Sequence, residues 1–258
     1  GERFRPLRDF ADFAYLRSRC GGRTVTLKAD AVKDEAGRTV FLDDPSMRAP
    51  FSDYLLLLER AEAIGEPPPC YMGKSQLEDV LPELAADVAW AAPHGPAGLF
   101  GGLFGELTSR GVHMYLGAGG NTTPVHCDPG ENLLLVVSGT KRLFLWPPTD
   151  ADCLYTVGQT NSAVPPFVAP CAMPPEMASR CPLYRHTEPL EVELRQGDLL
   201  YLPIFWWHCV SGGRERNMIL NWWFDVHRDK RSADAADSPA SEVMAYFRRE
   251  VQGDGGAR

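Results

Sequence analysis

The stretch Thr123-Pro124-Val125-His126-Cys127-Asp128 sets an imidazole and a carboxylate two positions apart, just ahead of a β-rich run. On a strand, residues i and i+2 point to the same side, so His126 and Asp128 can reach one metal ion together. A third nitrogen donor is available from His208 in Trp206-Trp207-His208. Two histidines and one carboxylate on one face of an octahedral metal leave positions open, the donor set of non-haem Fe(II) oxygenation. The spacing points to oxidation chemistry. A second His-x-Asp, His227-Arg228-Asp229, lies among Arg228, Lys230 and Arg231, where neighbouring cations disfavour another cation. It also has the form of a kinase catalytic-loop tripeptide, but the downstream Asn and an upstream Gly-rich loop are missing.

A different charge singles out Lys141, which alternates with Leu143 and Leu145 on one strand face. A lysine on an apolar face is costly unless it meets an anion. A fixed cation with hydroxyl donors beside it suits a dicarboxylate deep in a pocket. Asn221 shares a face with Ile219 and Trp223. Cys127 and Cys209 each adjoin a proposed ligand, but alternation turns them to the opposite face as small core fillers. His113, on an alternating strand, reads as structural.

The elements that must position these groups follow from periodicity. Strands are expected at 112–116, 131–137, 141–146, 190–194, 198–202 and 217–224, with Ser138-Gly139 joining the second to the third as a tight hairpin. Short strands bounded by turn residues predict a mainly β protein with flanking helices, a double-stranded β-helix or jelly roll. Upstream, 51–64 reads as a helix stopped by Pro67-Pro68-Pro69, which deliver Cys70-Tyr71-Met72 in an extended form. The Pro- and Cys-rich segment 151–186 has no clear period and reads as an insertion over one end of the barrel. Ser238-Pro239 opens a last helix, over 238–251, with the apolar stripe Val243, Phe247, Val251.

A chain of 258 residues is long enough for one large core, and a single domain is expected. Its parts are a flanking α/β region over 1–110, a jelly-roll core over 111–225 and a helical tail over 226–258. No 18-residue apolar run is present, so a membrane span is not expected. The net charge of −8 disfavours nucleic acid as a partner. Seven cysteines without a Cys-x-x-Cys pair favour neither a disulfide framework nor structural zinc, and suggest an intracellular protein, cytoplasmic or nuclear.

Several motifs in order resemble the JmjC, cupin-like oxygenase superfamily: Asn132-Leu133 through Ser138-Gly139-Thr140-Lys141-Arg142 to Trp146-Pro147-Pro148, then Gly197-Asp198 through Leu202-Pro203 and Trp206-Trp207-His208. The chain looks most like the small JmjC hydroxylases, among them lysyl and asparaginyl hydroxylases. That resemblance implies Fe(II) on His126, Asp128 and His208, with 2-oxoglutarate and O2 as cosubstrates. It implies Thr123, Lys141 and Tyr71 on the distal carboxylate of 2-oxoglutarate, with Asn132 and Asn221 near the cosubstrate. No separate acid or base beyond the metal centre is implied. The expected activity is hydroxylation of a side chain on a protein or peptide, with a homodimer through the C-terminal helix, as in some relatives. Three other readings stay open: demethylation of N-methyl-lysine, oxidation of RNA, and a non-catalytic cupin-type metal-binding or interaction module.

Overall fold

The computed structural model describes residues 5–34, 37–41, 47–88 and 107–224. The expected C-terminal helix and the basic 228–231 run, with the second His-x-Asp, lie outside the described residues. The strands in chain order are β1 (Thr24–Leu27), β2 (Ala31–Lys33), β3 (Thr39–Phe41), β4 (Met47–Pro50), β5 (Met72–Gln76), β6 (Leu107–Gly117), β7 (Asn121–Cys127) and β8 (Glu131–Ser138). They continue as β9 (Thr140–Trp146), β10 (Thr156–Val157), β11 (Asn161–Ser162), β12 (Leu190–Arg195), β13 (Leu199–Leu202), β14 (Trp207–Gly212) and β15 (Asn217–Phe224). One sheet runs β13-β8-β15-β6-β5, and a second runs β10-β11-β7-β14-β9-β12, with β3 added in parallel to β7. This is the expected jelly roll.

The Ser138-Gly139 turn is not a hairpin. β8 pairs with β13 and β15, whereas β9 pairs with β12 and β14, so the chain crosses there from one sheet to the other. The turn chemistry was read correctly: Gly139 has φ 72°, and a Cβ there would lie 2.9 Å from the Asn217 Cβ. Turn residues alone do not say whether the outgoing strand folds back on its neighbour or leaves for the facing sheet.

Strand alternation divides the apolar residues into three layers. Leu134, Val136, Leu143, Leu145 and Ile219 fill the barrel between the sheets. On the outer face of the five-stranded sheet, Leu133, Leu135, Leu220 and Trp222 pack against Phe13, Leu16, Phe51, Leu55 and Leu58 from the two N-terminal helices. Those helices are Phe13–Cys20, capped by Asp12 accepting from the Ala14 amide at 2.8 Å, and Phe51–Ile64, which ends on the left-handed Gly65. Each buried Leu or Phe contributes about 1.5–3 kcal/mol relative to exposure.

The outer face of the second sheet is covered by the insertion. Leu154, Val164, Met177 and Tyr184 close over Val125, Phe144, Trp146 and Trp207, so the segment covers a sheet face where the sequence suggested one end. Its β10–β11 hairpin is the part that reaches the site, because β11 pairs with β7 at Asn161 opposite His126. The segment's side chains follow the sheet surface beneath them, which explains its lack of a period of its own.

Candidate metal centre

His126 and His208 are direct cross-strand partners on β7 and β14, and Asp128 follows β7 by one residue. The Asp128 carboxylate Oδ2 lies 3.7 Å from His126 Nε2 and 3.4 Å from His208 Nε2. All three donor atoms lie within 4.8 Å of one another, a group that could hold a metal ion. With bonds of about 2.1 Å, adjacent corners of an octahedral ion are about 3.0 Å apart, so the Asp128 oxygen lies within 1 Å of that spacing from each imidazole nitrogen. The nitrogens turned away are fixed by backbone. His126 Nδ1 lies 2.9 Å from the Pro124 carbonyl and His208 Nδ1 3.0 Å from that of Trp206. A carbonyl only accepts, so each ring carries its proton on Nδ1 and presents the Nε2 lone pair toward Asp128. Burial, together with His126, pushes His208 down to about 4, against smaller raising effects from Asp128 and the Trp206 carbonyl. It is therefore neutral at ordinary pH, the state a ligand requires.

Simple alternation puts Thr123, three residues before His126, on the wrong face. The register resolves this. His126 pairs with His208 but Thr123 pairs with Val210, so β7 carries one extra residue at Pro124-Val125. That bulge restores the parity, turning Thr123 inward with His126 while Val125 faces the insertion core. Proline at Pro124 fits, since it has no amide proton to give the ladder.

Lys141 is 2% exposed and fully inside the barrel. Among the described residues no carboxylate pairs with it, and burial alone pushes its ammonium down to about 7. It lies opposite Gly212 on β14. A Cβ at Gly212 would come within 2.6 Å of both Asn121 Oδ1 and Asn217 Nδ2, so glycine leaves that layer to polar groups. Tyr71 is buried, and desolvation holds its phenol well above its ordinary range despite a hydrogen bond with Asn121. Its ring fits between Gly73 and Gly117, where a Cβ would lie 2.8 Å from it at either position. Thr123 and Lys141 thus share the barrel interior on strands flanking β14, and Tyr71 reaches that end through Asn121. Asn121 was missed in the sequence because its strand, β7, was not recognised as starting there.

On the facing sheet, Asn221 Nδ2 donates to Asn132 Oδ1 at 2.8 Å, leaving the buried Asn221 Oδ1 without a partner. His113 stands directly across from Asn221 on β6, inside the barrel beside polar groups, which periodicity could not distinguish from an ordinary core position. Cys127 and Cys209 face the insertion core as expected, and desolvation raises both thiols to about 12.

A family model described as a cupin-like domain matches residues 5–230. The chain belongs to the cupin-like family. Within it the chain is of the JmjC type. It is similar to the human bifunctional peptidase and (3S)-lysyl hydroxylase, 28% identical over 246 residues that cover 83% of this chain and 72% of that protein. Jumonji C domain-containing protein 5 of Drosophila melanogaster is 33% identical over 112 residues, 43% of this chain and 27% of its own. A lysine-specific demethylase of Arabidopsis thaliana is 28% identical over 211 residues, 81% of this chain and 44% of its own. The chain therefore spans less than half the length of the fly and plant proteins.

Proposed function

We propose that this cupin-like protein is an Fe(II)- and 2-oxoglutarate-dependent dioxygenase that hydroxylates a side chain of a protein or peptide. The observation that carries the reading is Lys141, a buried cation with no carboxylate partner among the described residues, enclosed in the barrel that presents His126, Asp128 and His208 together. Buried charges persist when something pairs with them, and a dicarboxylate with one end at Lys141 fits that need. His126, Asp128 and His208 hold Fe(II), which with 2-oxoglutarate as the electron source supplies the activation of O2 that side chains alone lack. Lys141, Thr123 and Tyr71 hold the distal carboxylate; Asn132 and Asn221 offer amides along the cosubstrate's path. The Nδ1 bonds to backbone fix the ligand rings.

The hydroxylase named among the relatives supports the outcome. Demethylation of N-methyl-lysine is the second reading, favoured by the demethylase relatives; it is chemically a hydroxylation next to nitrogen. The net charge of −8 weighs against RNA, whose binding rests on clustered Lys and Arg. Candidate peptides incubated with the protein, Fe(II), 2-oxoglutarate and O2 are expected to gain one oxygen by mass. Loss of a methyl group as formaldehyde from a methyl-lysine peptide would establish the second reading instead. Metal binding without succinate formation from any candidate peptide or RNA would leave the non-catalytic module.

A further inference from the structure

Two of the three metal donors lie where the chain passes from one sheet to the other. Asp128 opens the step from β7 to β8, and the turn over 203–206 makes the step from β13 to β14, just ahead of His208. The two crossings are far apart in sequence, so contacts between them have to hold their separation. One contact is backbone: the Phe205 amide donates to the Asp128 carbonyl at 2.9 Å. The other is a side chain. Glu131, the first residue of β8, accepts at Oε2 from the Ile204 amide at 3.1 Å and from the Tyr201 hydroxyl at 2.8 Å. We propose that Glu131 is a positioning residue of the metal centre, its carboxylate fixing the turn after β13 against the turn after β7 and so setting His208 relative to Asp128. The proposal rests on the reading of those donors as a metal centre.

A side-chain acceptor is needed because the ladder ends there. β13 pairs with β8 as far as Leu202 opposite Asn132, and the next residue, Pro203, has no amide proton. Ile204 then takes its acceptor from off the ladder, and Glu131 reaches past the strand end to supply it. Desolvation and the bond to Glu131 both push the Tyr201 phenol up, so it keeps its proton and donates. The turn does not hold its shape unaided. Phe205 has φ 60°, a left-handed conformation that a bulky residue keeps only where its surroundings impose it. The turn in turn serves His208: the Trp206 amide closes on the Pro203 carbonyl at 3.2 Å, and the Trp206 carbonyl lies 3.0 Å from His208 Nδ1. A shifted turn therefore shifts the imidazole. Glu131 acts from outside the donor set, since it alternates along β8 with the buried Asn132, and the group among the described residues that could hold a metal is His126, Asp128 and His208.

Mn(II) titrated into the full chain, with free ion counted by EPR, tests this alongside amide exchange of the metal-free protein read by mass spectrometry. Glu131→Leu, which removes the acceptor, is expected to weaken Mn(II) binding about tenfold, the scale usual for residues that orient a metal ligand. In the same variant, exchange across 204–208 should quicken about tenfold while β9 and β12 exchange as in the parent. Glu131→Gln keeps an acceptor oxygen and should bind Mn(II) within about threefold of the parent. A Leu variant that binds Mn(II) as tightly as the parent, or exchange across 204–208 that does not change, would overturn the positioning role. So would a Gln variant as weak as the Leu variant, because the carboxylate would then act through its charge on the ion and not through the turn. Faster exchange in the Leu variant beside a parent that holds no Mn(II) would instead overturn the metal-centre reading, and with it the positioning of a metal by Glu131.

Discussion

Lys141→Met should stabilise the protein in the absence of cosubstrate while removing its response to 2-oxoglutarate. Burial moves the ammonium from the ordinary 10.5 to about 7. At 1.36 kcal/mol per unit, carrying that charge into the barrel costs at most about 5 kcal/mol. Local relaxation and water entry reduce this, and about 2–3 kcal/mol is the expected gain. Methionine nearly matches the lysine stem in length, so little packing is lost. The pH dependence has a definite sign. Between pH 7 and 10.5 the unfolded chain binds more protons at this site than the folded one, so the penalty is complete below about pH 7 and fades as pH rises. At pH 9 it should be smaller than at pH 7. For a chain of this size 1 kcal/mol moves Tm by about 2–4 °C, so the variant should melt roughly 5–10 °C higher at pH 7 and less so at pH 9. Scanning fluorimetry with Mn(II) in place of Fe(II) reads both effects. 2-Oxoglutarate should raise Tm in the parent and not in the variant. A variant less stable than the parent at pH 7, or one equally stabilised by 2-oxoglutarate, would refute the idea that Lys141 is an unpaired cation awaiting the cosubstrate.

The β7 bulge turns Thr123 inward, and the proposed cosubstrate site makes it a donor to the distal carboxylate; on that proposal Thr123→Val should raise the KM for 2-oxoglutarate about 10- to 100-fold, the worth of one hydrogen bond to a charged group, and leave Mn(II) affinity unchanged in a titration. Tyr184 is fully buried under the insertion, with its hydroxyl donating to the Val168 carbonyl at 2.5 Å and its ring 6.3 Å from Trp146. Tyr184→Ala should cost about 3–5 kcal/mol in urea unfolding; a loss under 1 kcal/mol would mean that the segment is not part of the folded core. A chain ending before Ser238 should show by light scattering whether the tail pairs subunits: the dimer expectation fails if the parent and the shortened chain contain the same number of subunits.

The clustering of His126, Asp128 and His208 was legible because its signal is local and its chemistry restrictive: His126 and Asp128 are two residues apart, and few other arrangements use that pair with a distant His208. Lys141 was legible for the same reason, as a charge interrupting the apolar face of Leu143 and Leu145. What escaped depends on which strand lies beside which. The Ser138-Gly139 turn has the same residues whether the chain returns or crosses to the other sheet. The bulge at Pro124-Val125 is defined only against its partner β14, so Thr123 came from resemblance and its inward orientation from the fold. The polar company of Lys141, with Asn121 beside Gly212, assembles from strands far apart in sequence. The insertion has no period because its apolar residues match a sheet surface built by other segments.

The central claim is that His126, Asp128 and His208 form a working metal centre coupled to the oxidation of 2-oxoglutarate. The most direct test measures succinate and peptide oxygen incorporation together, in the parent and in Asp128→Ala, with Fe(II), 18O2 and a panel of candidate peptides. The parent should release succinate in step with the appearance of a peptide carrying one 18O atom, and Asp128→Ala should lose both by at least a hundredfold while remaining folded. Turnover that survives Asp128→Ala, or peptide oxygen drawn from water rather than from O2, would contradict the account.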